Sequence, residues 1–371
     1  MGEGLQVGEG LQVGSVELGS AGPLALGPDG VVFTADNRGA RLISLAVEAP
    51  DRGSAGDGPV DVQDVDVRIG AFLGCDAGDV VIRDLVVQPG SGDVLLSVQR
   101  GRGDAGTAVL LRLRRDDAAI EEVALDGIGT AEVSLADAPA ADDERVDARV
   151  GGEGEGDEVT YGELTFRLVK EPVRTSTVTD MAFVDGELLV AGLSNEEFAS
   201  KLRRVPFPFG AAGDDSHLEI FHVSHGKWET AAPIRTFVPY ADGESILAAY
   251  TCTPVVHFPL ADLEPGTKTV GRTVAELGAM NQPLDMISFV QGGEEYLLVA
   301  NSAHGLIKIA CRDVDVQEPL TEPREPIGVP RETEDLRGVS RLANFGDGHV
   351  LVLQGDDGGQ QHLRSLKTGS L

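Results

Sequence analysis

The chain has 371 residues, with 61 Asp and Glu against 30 Lys and Arg. The resulting formal charge of −31 repels phosphate backbones and anionic lipid, which argues against nucleic acid and membrane surfaces as partners. No apolar run reaches the length of a membrane span and no basic-then-apolar start is present, so a periplasmic or secreted location would require a signal already removed.

The 48 glycines sit in short groups such as "PDG", "GSGD", "VDGE" and "FGDGH", the mark of many tight turns between many short strands. The chain opens on a tandem "GEGLQV", to which no chemistry attaches, and "LQVGSVELG" then reads as a spare strand. Six β-hairpins follow: "GPLALGPDGVVFTAD" from Gly22, "RDLVVQPGSGDVLLSVQ" from Arg83, "TDMAFVDGELLVAGL" from Thr179, "RTFVPYADGESILAAYT" from Arg235, "LDMISFVQGGEEYLLVANS" from Leu284 and "RGVSRLANFGDGHVLVLQG" from Arg337.

Third strands are expected at "ARLISLAV", "AVLLRLRR", "HLEIFHV", "PVVHFPL", "GLIKIAC" and "QHLRSL", and fourth strands at "VDVQDVDVRI", "IEEVAL", "GKWETA" and "TVGRTVAEL". Four antiparallel strands per repeat predict an all-β chain, one β-propeller domain over residues 1–371 with six four-stranded blades. The sixth repeat lacks a fourth strand, so the N-terminal strand is expected to close the ring there.

Pro23, Asp84, Asp180, Thr236, Asp285 and Gly338 align as equivalent positions, and only the gap from Asp84 to Asp180 is out of line. Its excess falls in residues 127–176, an acidic, Gly-rich insertion or a degenerate seventh blade. A second irregularity, residues 194–209 ("SNEEFASKLRRVPFPF"), reads as an insertion in the third repeat. It is expected to be a short helix serving as a lid or docking surface, or a loop anchored by Phe198, Phe207 and Phe209.

The hairpins, "GPLALGPDGVVFTADN" and "TDMAFVDGELLVAGL" above all, resemble the blades of NHL-type and gluconolactonase-type propellers. Stretches such as "AGLSNEEFASKLRRVPFPF" and "ILAAYTCTPVVHFPL" also resemble an uncharacterised group of bacterial propeller proteins. The first resemblance implies an axial channel. In gluconolactonase-type enzymes that channel holds one divalent metal on a Glu, an Asn and an Asp, with an Asp as base. Asn195 and Asp285 match such parts, whereas Pro23 stands where the glutamate ligand belongs.

Leading residues of inner strands face the channel, so Asp84, Asp180 and Asp285 form a candidate calcium site, with Asn195 and Asn301 adding oxygens. The alternative for each aspartate is structural: it accepts backbone N–H bonds of its own turn. Arg83, Arg235 and Arg337 precede that column and are candidates to grip a carboxylate or phosphate of a ligand, or to pair with acidic residues of the protein.

His217, His222 and His225 cluster without sharing a strand face and are expected at the surface. Cys252 ends a strand with His257 as its nearest candidate base. Cys75, Cys252 and Cys311 form no CxxC pair, leaving three thiols or one disulfide and a spare thiol. "GEGEG" from Gly152 follows no predicted strand and opens no helix; no GxSxG elbow or Walker loop occurs, and the single Trp228 disfavours a quinone-cofactor module. The functional expectation is a non-catalytic scaffold for a protein or small-molecule ligand, with a metal-dependent lactone or ester hydrolase as the alternative.

Overall fold

The computed structural model describes residues 10–49, 58–150, 156–161, 164–210, 213–323, 327–346 and 348–371. The first copy of the tandem "GEGLQV" and all but the last residue of "GEGEG" lie outside them. The described residues form six sheets of four or more strands and a seventh of three.

Blade 1 runs outward from Leu24–Leu26 through Val31–Asp36, Arg41–Ala46 and Asp126–Ser134 to Gln12–Ser15. Blade 2 is Val80–Val87, Val94–Arg100, Thr107–Leu113 and Ile120–Glu122. Blade 3 is Asp180–Val184, Glu187–Leu193, Ser200–Pro206 and Asp214–His222, with Lys227–Glu229 and Lys268–Val270 added at its edge. Blade 4 contains Ile234–Tyr240, Ser245–Tyr250, Pro254–Pro259, Arg272–Glu276 and Ile327–Gly328. Blade 5 has Pro283–Gln291, Glu294–Asn301, Leu306–Ala310 and Glu332–Glu334, and blade 6 has Val339–Asn344, His349–Gly355, Gln361–Lys367 and Asp61–Val62.

The hydrophobic core consists of the layers between blades, and these layers fix the ring order. Leu24 and Ile43 of blade 1 pack with Leu95 and Leu110 of blade 2, and Phe33 and Leu42 of blade 1 pack with Met181 and Leu188 of blade 3. Blade 3 meets blade 4 through Leu189 and Ile246, blade 4 meets blade 5 through Leu247 and Leu297, and blade 5 meets blade 6 through Leu298 and Val350. Blade 6 returns to blade 2 through Leu351 and Leu96. The inner strands touch in the same closed sequence, 2-1-3-4-5-6. Because each blade is covered on both faces, its second strand has a continuous buried run, over the whole strand in "VVFTAD" and "SILAAY", instead of alternating with exposed residues.

The ring therefore departs from chain order. After its third strand, blade 1 is left incomplete: the chain gives Asp61–Val62 to blade 6, where Leu363 pairs with Val62. It then builds helix Val65–Leu73 and blade 2, and returns to blade 1 with Asp126–Ser134. The expected closure by the N-terminal strand is corrected accordingly. Gln12–Ser15 pairs with Asp126–Ser134 at the outer edge of blade 1, and the fourth strand of blade 6 comes from within "VDVQDVDVRI", the second half of which begins the helix.

The 194–209 insertion with its short helix is corrected too. Ser200–Pro206 is the third strand of blade 3, paired with Glu187–Leu193 on one side and Asp214–His222 on the other. Its apolar pattern is masked by Lys201 and Arg203, both buried and satisfied by carboxylates: Lys201 Nζ lies 2.6 Å from Asp215 and 3.4 Å from Asp137, and Arg203 lies 2.8 Å from Asp137. Phe207 and Phe209 beyond it pack around Phe33, as an anchored segment. "HLEIFHV" is consequently the fourth strand of its blade, not the third.

Residues 127–176 divide in two. The first part completes blade 1, and Val146–Val150, Gly156–Tyr161 and Leu164–Pro172 form the three-stranded sheet, which is outside the ring. The three cysteines are free thiols. Among the described residues no helix is long and apolar enough to cross a membrane.

Close backbone approach makes some glycines indispensable. A Cβ on Gly305 would stand 1.9 Å from the Glu334 carbonyl oxygen, where Leu306–Ala310 meets the fourth strand of blade 5. Gly305→Ala is expected to cost about 1–3 kcal/mol through forced displacement of Glu332–Glu334. A denaturant melt checks this, and an unchanged midpoint would show that the strand yields freely.

Candidate functional site in the axial channel

Most of the inner strands carry a β-bulge near their start, at Arg83, Arg235, Leu284 and Ser340. A bulge turns the next side chain inward, so the equivalent column is Pro23, Asp84, Asp180, Thr236, Asp285 and Arg341. Gly338, three residues earlier, precedes the sixth inner strand and is replaced in the column by Arg341. In ring order the column reads Asp84, Pro23, Asp180, Thr236, Asp285, Arg341, with an aspartate in every second blade.

Each aspartate does the same work. Oδ1 accepts the N–H of its own following residue, Leu85, Met181 or Met286, at 2.7–2.8 Å. Oδ2 accepts the N–H of the next blade's inner strand: Leu24 to Asp84 at 2.7 Å, Phe237 to Asp180 at 2.8 Å and Leu342 to Asp285 at 2.7 Å. The carboxylates thus tie the blades in pairs, 2 to 1, 3 to 4 and 5 to 6, and satisfy inner-strand donors that would otherwise be unpaired.

Three half-buried carboxyls that feel one another's charge cannot all remain charged at low cost. Burial, then the Asp84 charge, raise Asp180 to about 7 against the pull of the Phe237 and Met181 N–H groups. Burial likewise raises Asp84, opposed by the Arg341 guanidinium. Asp285 is pushed well up by burial and then by the Asp84 charge, again against Arg341. Arg341 itself is fixed by backbone oxygens, donating from Nε to Arg83 O at 2.6 Å and from Nη1 to Leu284 O at 3.3 Å.

The arginine column separates. Arg235 is held by the three-stranded sheet, with Nη1 and Nη2 at 2.7 and 2.8 Å from the two oxygens of Asp147 and Nε at 2.8 Å from Thr251 Oγ1. Arg149 and Ser176 also approach Asp147, at 3.5 and 2.6 Å. The sheet is further tied to blade 5 by Val150 N–H to Gln282 Oε1 at 2.9 Å. The inserted sheet therefore docks over the end of the channel where inner strands 4 and 5 begin. Arg83 reaches Gln99 Oε1 at 3.3 Å. Arg337 is exposed, 3.6 Å from Asp335, and belongs to neither column.

The two asparagines do not join the aspartates. Asn195 is exposed, its N–H bonded to Asp137 O. Asn301 is buried and engaged elsewhere, with Oδ1 accepting from Asn281 and Nδ2 donating to Val299 O. Among the described residues, the ligating oxygens of Asp84, Asp180 and Asp285 do not fall within 4.8 Å of one another as a trio. With Pro23 contributing no donor and both asparagines elsewhere, these residues do not fit the metal of gluconolactonase-type enzymes. Sequence reasoning missed Asp147 and Arg341; the bulge that selects Arg341 leaves no mark in composition.

No family model matches the sequence, and no curated protein matches it. Among solved structures, the chain is similar to a chain of the mitotic checkpoint complex at 10% identity and TM-score 0.38, covering 99% of this chain and 97% of that one. It is also similar to the β-propeller domain of Cps50 (Swd1) from Myceliophteria thermophila, at 11% identity and TM-score 0.37 over 96% of this chain and 100% of that one. A third is the PQQ-bound aldose sugar dehydrogenase of Streptomyces coelicolor, at 12% identity and TM-score 0.35 over 96% of each chain. The propeller architecture here rests on the strand pairing and blade contacts described above.

Proposed function

We propose that the chain is a non-catalytic, NHL-like binding propeller that presents its faces to a protein or small-molecule ligand. The observation that supports this reading is how the channel's polar groups are employed. The three aspartates each hold two backbone N–H groups, Arg341 holds carbonyls, and Arg235 holds the docked sheet. A hydrolase needs a base and an electrophile free to meet a substrate, and the column's three aspartates and Arg341 are already hydrogen-bonded to backbone groups, which favours the binding reading over the lactonase-like alternative.

Large apolar side chains at the rim fit a binding role: Phe198, Trp228 and Val270, at 37%, 49% and 52% exposure, lie on the outer part of blade 3. The test is a lactone and ester hydrolysis assay on protein stripped with chelator and resupplied with calcium, run beside a thermal melt. The expected result is no turnover above the buffer rate and no calcium-dependent rise in Tm. Calcium-dependent turnover would overturn the reading in favour of the hydrolase.

A further inference from the structure

Outside the channel, one group of side chains converges with metal-ligand geometry. His222 ends the fourth strand of blade 3, His225 lies in the turn that follows, and Glu229 ends the edge strand Lys227–Glu229 that pairs back on it. Glu229 accepts from both imidazoles: Oε2 is 2.7 Å from His222 Nδ1 and Oε1 is 2.9 Å from His225 Nδ1. The two rings stack with centroids 3.8 Å apart at 32°. Among the described residues this is the one group of three His, Cys, Asp or Glu side chains whose ligating atoms all lie within 4.8 Å.

The support behind the trio is rigid. Gly226 N–H donates to His222 O at 2.8 Å, closing the turn. Ser224 N–H donates to the buried Glu276 at 3.3 Å, and its hydroxyl donates to Cys252 O at 3.3 Å, which anchors the turn on blade 4. His222 is 2% exposed and its Nε2 is buried with no partner, so Nδ1, aimed at Glu229, is the nitrogen it can offer. His225 is partly open to solvent, and the Lys227 ammonium, 3.1 Å from Glu229 Oε1, is on an exposed side chain free to swing aside.

We propose that His222, His225 and Glu229 form a three-ligand site for a borderline divalent transition metal of the zinc class, with its fourth position open to solvent beside His225. Two imidazoles and one carboxylate suit that class and not calcium, which takes oxygen ligands. Tetrahedral coordination at about 2.0–2.2 Å places ligand atoms about 3.3–3.6 Å apart. The observed 2.7 and 2.9 Å contacts reach that spacing by shifts on the order of half an ångström to an ångström, which rotation of the Glu229 carboxylate, shared by both contacts, and movement of the turn residue His225 supply.

The test uses untagged full-length protein, stripped with chelator, loaded with Zn2+ and dialysed against a large excess of Ca2+ to clear diffuse binding to the acidic surface. Retained zinc is measured by mass spectrometry, and Co2+ loading is followed by visible absorption. The wild type is expected to retain one equivalent more than His225→Ala and Glu229→Gln, and to show an intense tetrahedral Co2+ band that both variants lose. His225 is exposed enough that its replacement leaves the blade folded, which melts in metal-free buffer verify. Equal retention by wild type and variants, or no retention by the wild type, would overturn the proposal and leave Glu229 as a hydrogen-bonded partner of two histidines.

Discussion

Replacing Asp147 by alanine is expected to release the three-stranded sheet from the propeller. The substitution leaves the Arg235 guanidinium buried with Thr251 Oγ1 and the weaker Ala148 carbonyl contact as its partners. Arginine cannot shed its charge to escape this, and stranding one member of a buried ion pair costs about 3–5 kcal/mol. Backbone amides of Val146–Val150 and Leu164–Pro172 should then exchange hydrogen roughly two to three orders of magnitude faster, since about 1.4 kcal/mol is a factor of ten. Arg235→Ala should cost less, because Arg149 and Ser176 still face Asp147. The Asp147→Ala/Arg235→Ala double variant should be closer to wild type than Asp147→Ala alone. Unchanged exchange in Asp147→Ala would show that the sheet is held by other contacts.

The second large effect is on pH dependence. Asp180 titrates near 7 in the folded chain and near its ordinary value of 3.8 when unfolded. The folded state therefore binds the proton more tightly between those values, and stability falls as pH rises through that window, by about 4 kcal/mol from this group alone. Asp84 and Asp285, also raised, act in the same direction. Asp36, Asp137, Asp147 and Glu229, the last at about 2, are held low and act oppositely: their contribution is present above about pH 4 and lost in acid. Stability measured by urea unfolding should therefore peak near pH 4–5 and decline toward neutrality. Asp180→Asn should flatten the decline, while being less stable than wild type at pH 4 because one amide oxygen cannot accept from both Met181 and Phe237. A wild-type curve that rises steadily from pH 5 to 7 would contradict this assignment.

The hairpins were legible because local patterning reports them directly. Asp185–Gly186 and Gly292–Gly293, both with two positive φ values, close two-residue turns between apolar runs. The order of blades was not legible, since the same antiparallel pairing serves a strand whether its partner is 10 residues away or 300. Asp61–Val62 is two residues long and carries no periodicity at all. Ser200–Pro206 was lost for a different reason, because buried Lys201 and Arg203 imitate an exposed segment when their carboxylate partners come from distant parts of the chain. The aspartate column was found in sequence as candidate metal ligands, yet its purpose depends on which blade lies beside which. Only the 2-1-3-4-5-6 ring reveals that each carboxylate reaches across a blade junction.

The pairing of Val62 with Leu363 also sets a timetable for synthesis. The strand that completes blade 6 leaves the ribosome early, whereas its partner strand is made some 300 residues later, roughly 15–60 s at ordinary elongation rates. During that interval blade 2, flanked in the chain by Asp61–Val62 and Asp126–Ser134, can settle against blade 1 while its opposite face meets only the helix Val65–Leu73 made just before it. Val80, Leu96 and Leu111, which end in a layer shared with Val65 and Ile69 of that helix and with Leu351 and Leu353 of blade 6, stay only partly covered until blade 6 is made. A nascent chain of this protein thus carries a partly open apolar surface from the completion of blade 2 to that of blade 6, a surface suited to transient shielding by a chaperone and vulnerable wherever translation stalls in that interval.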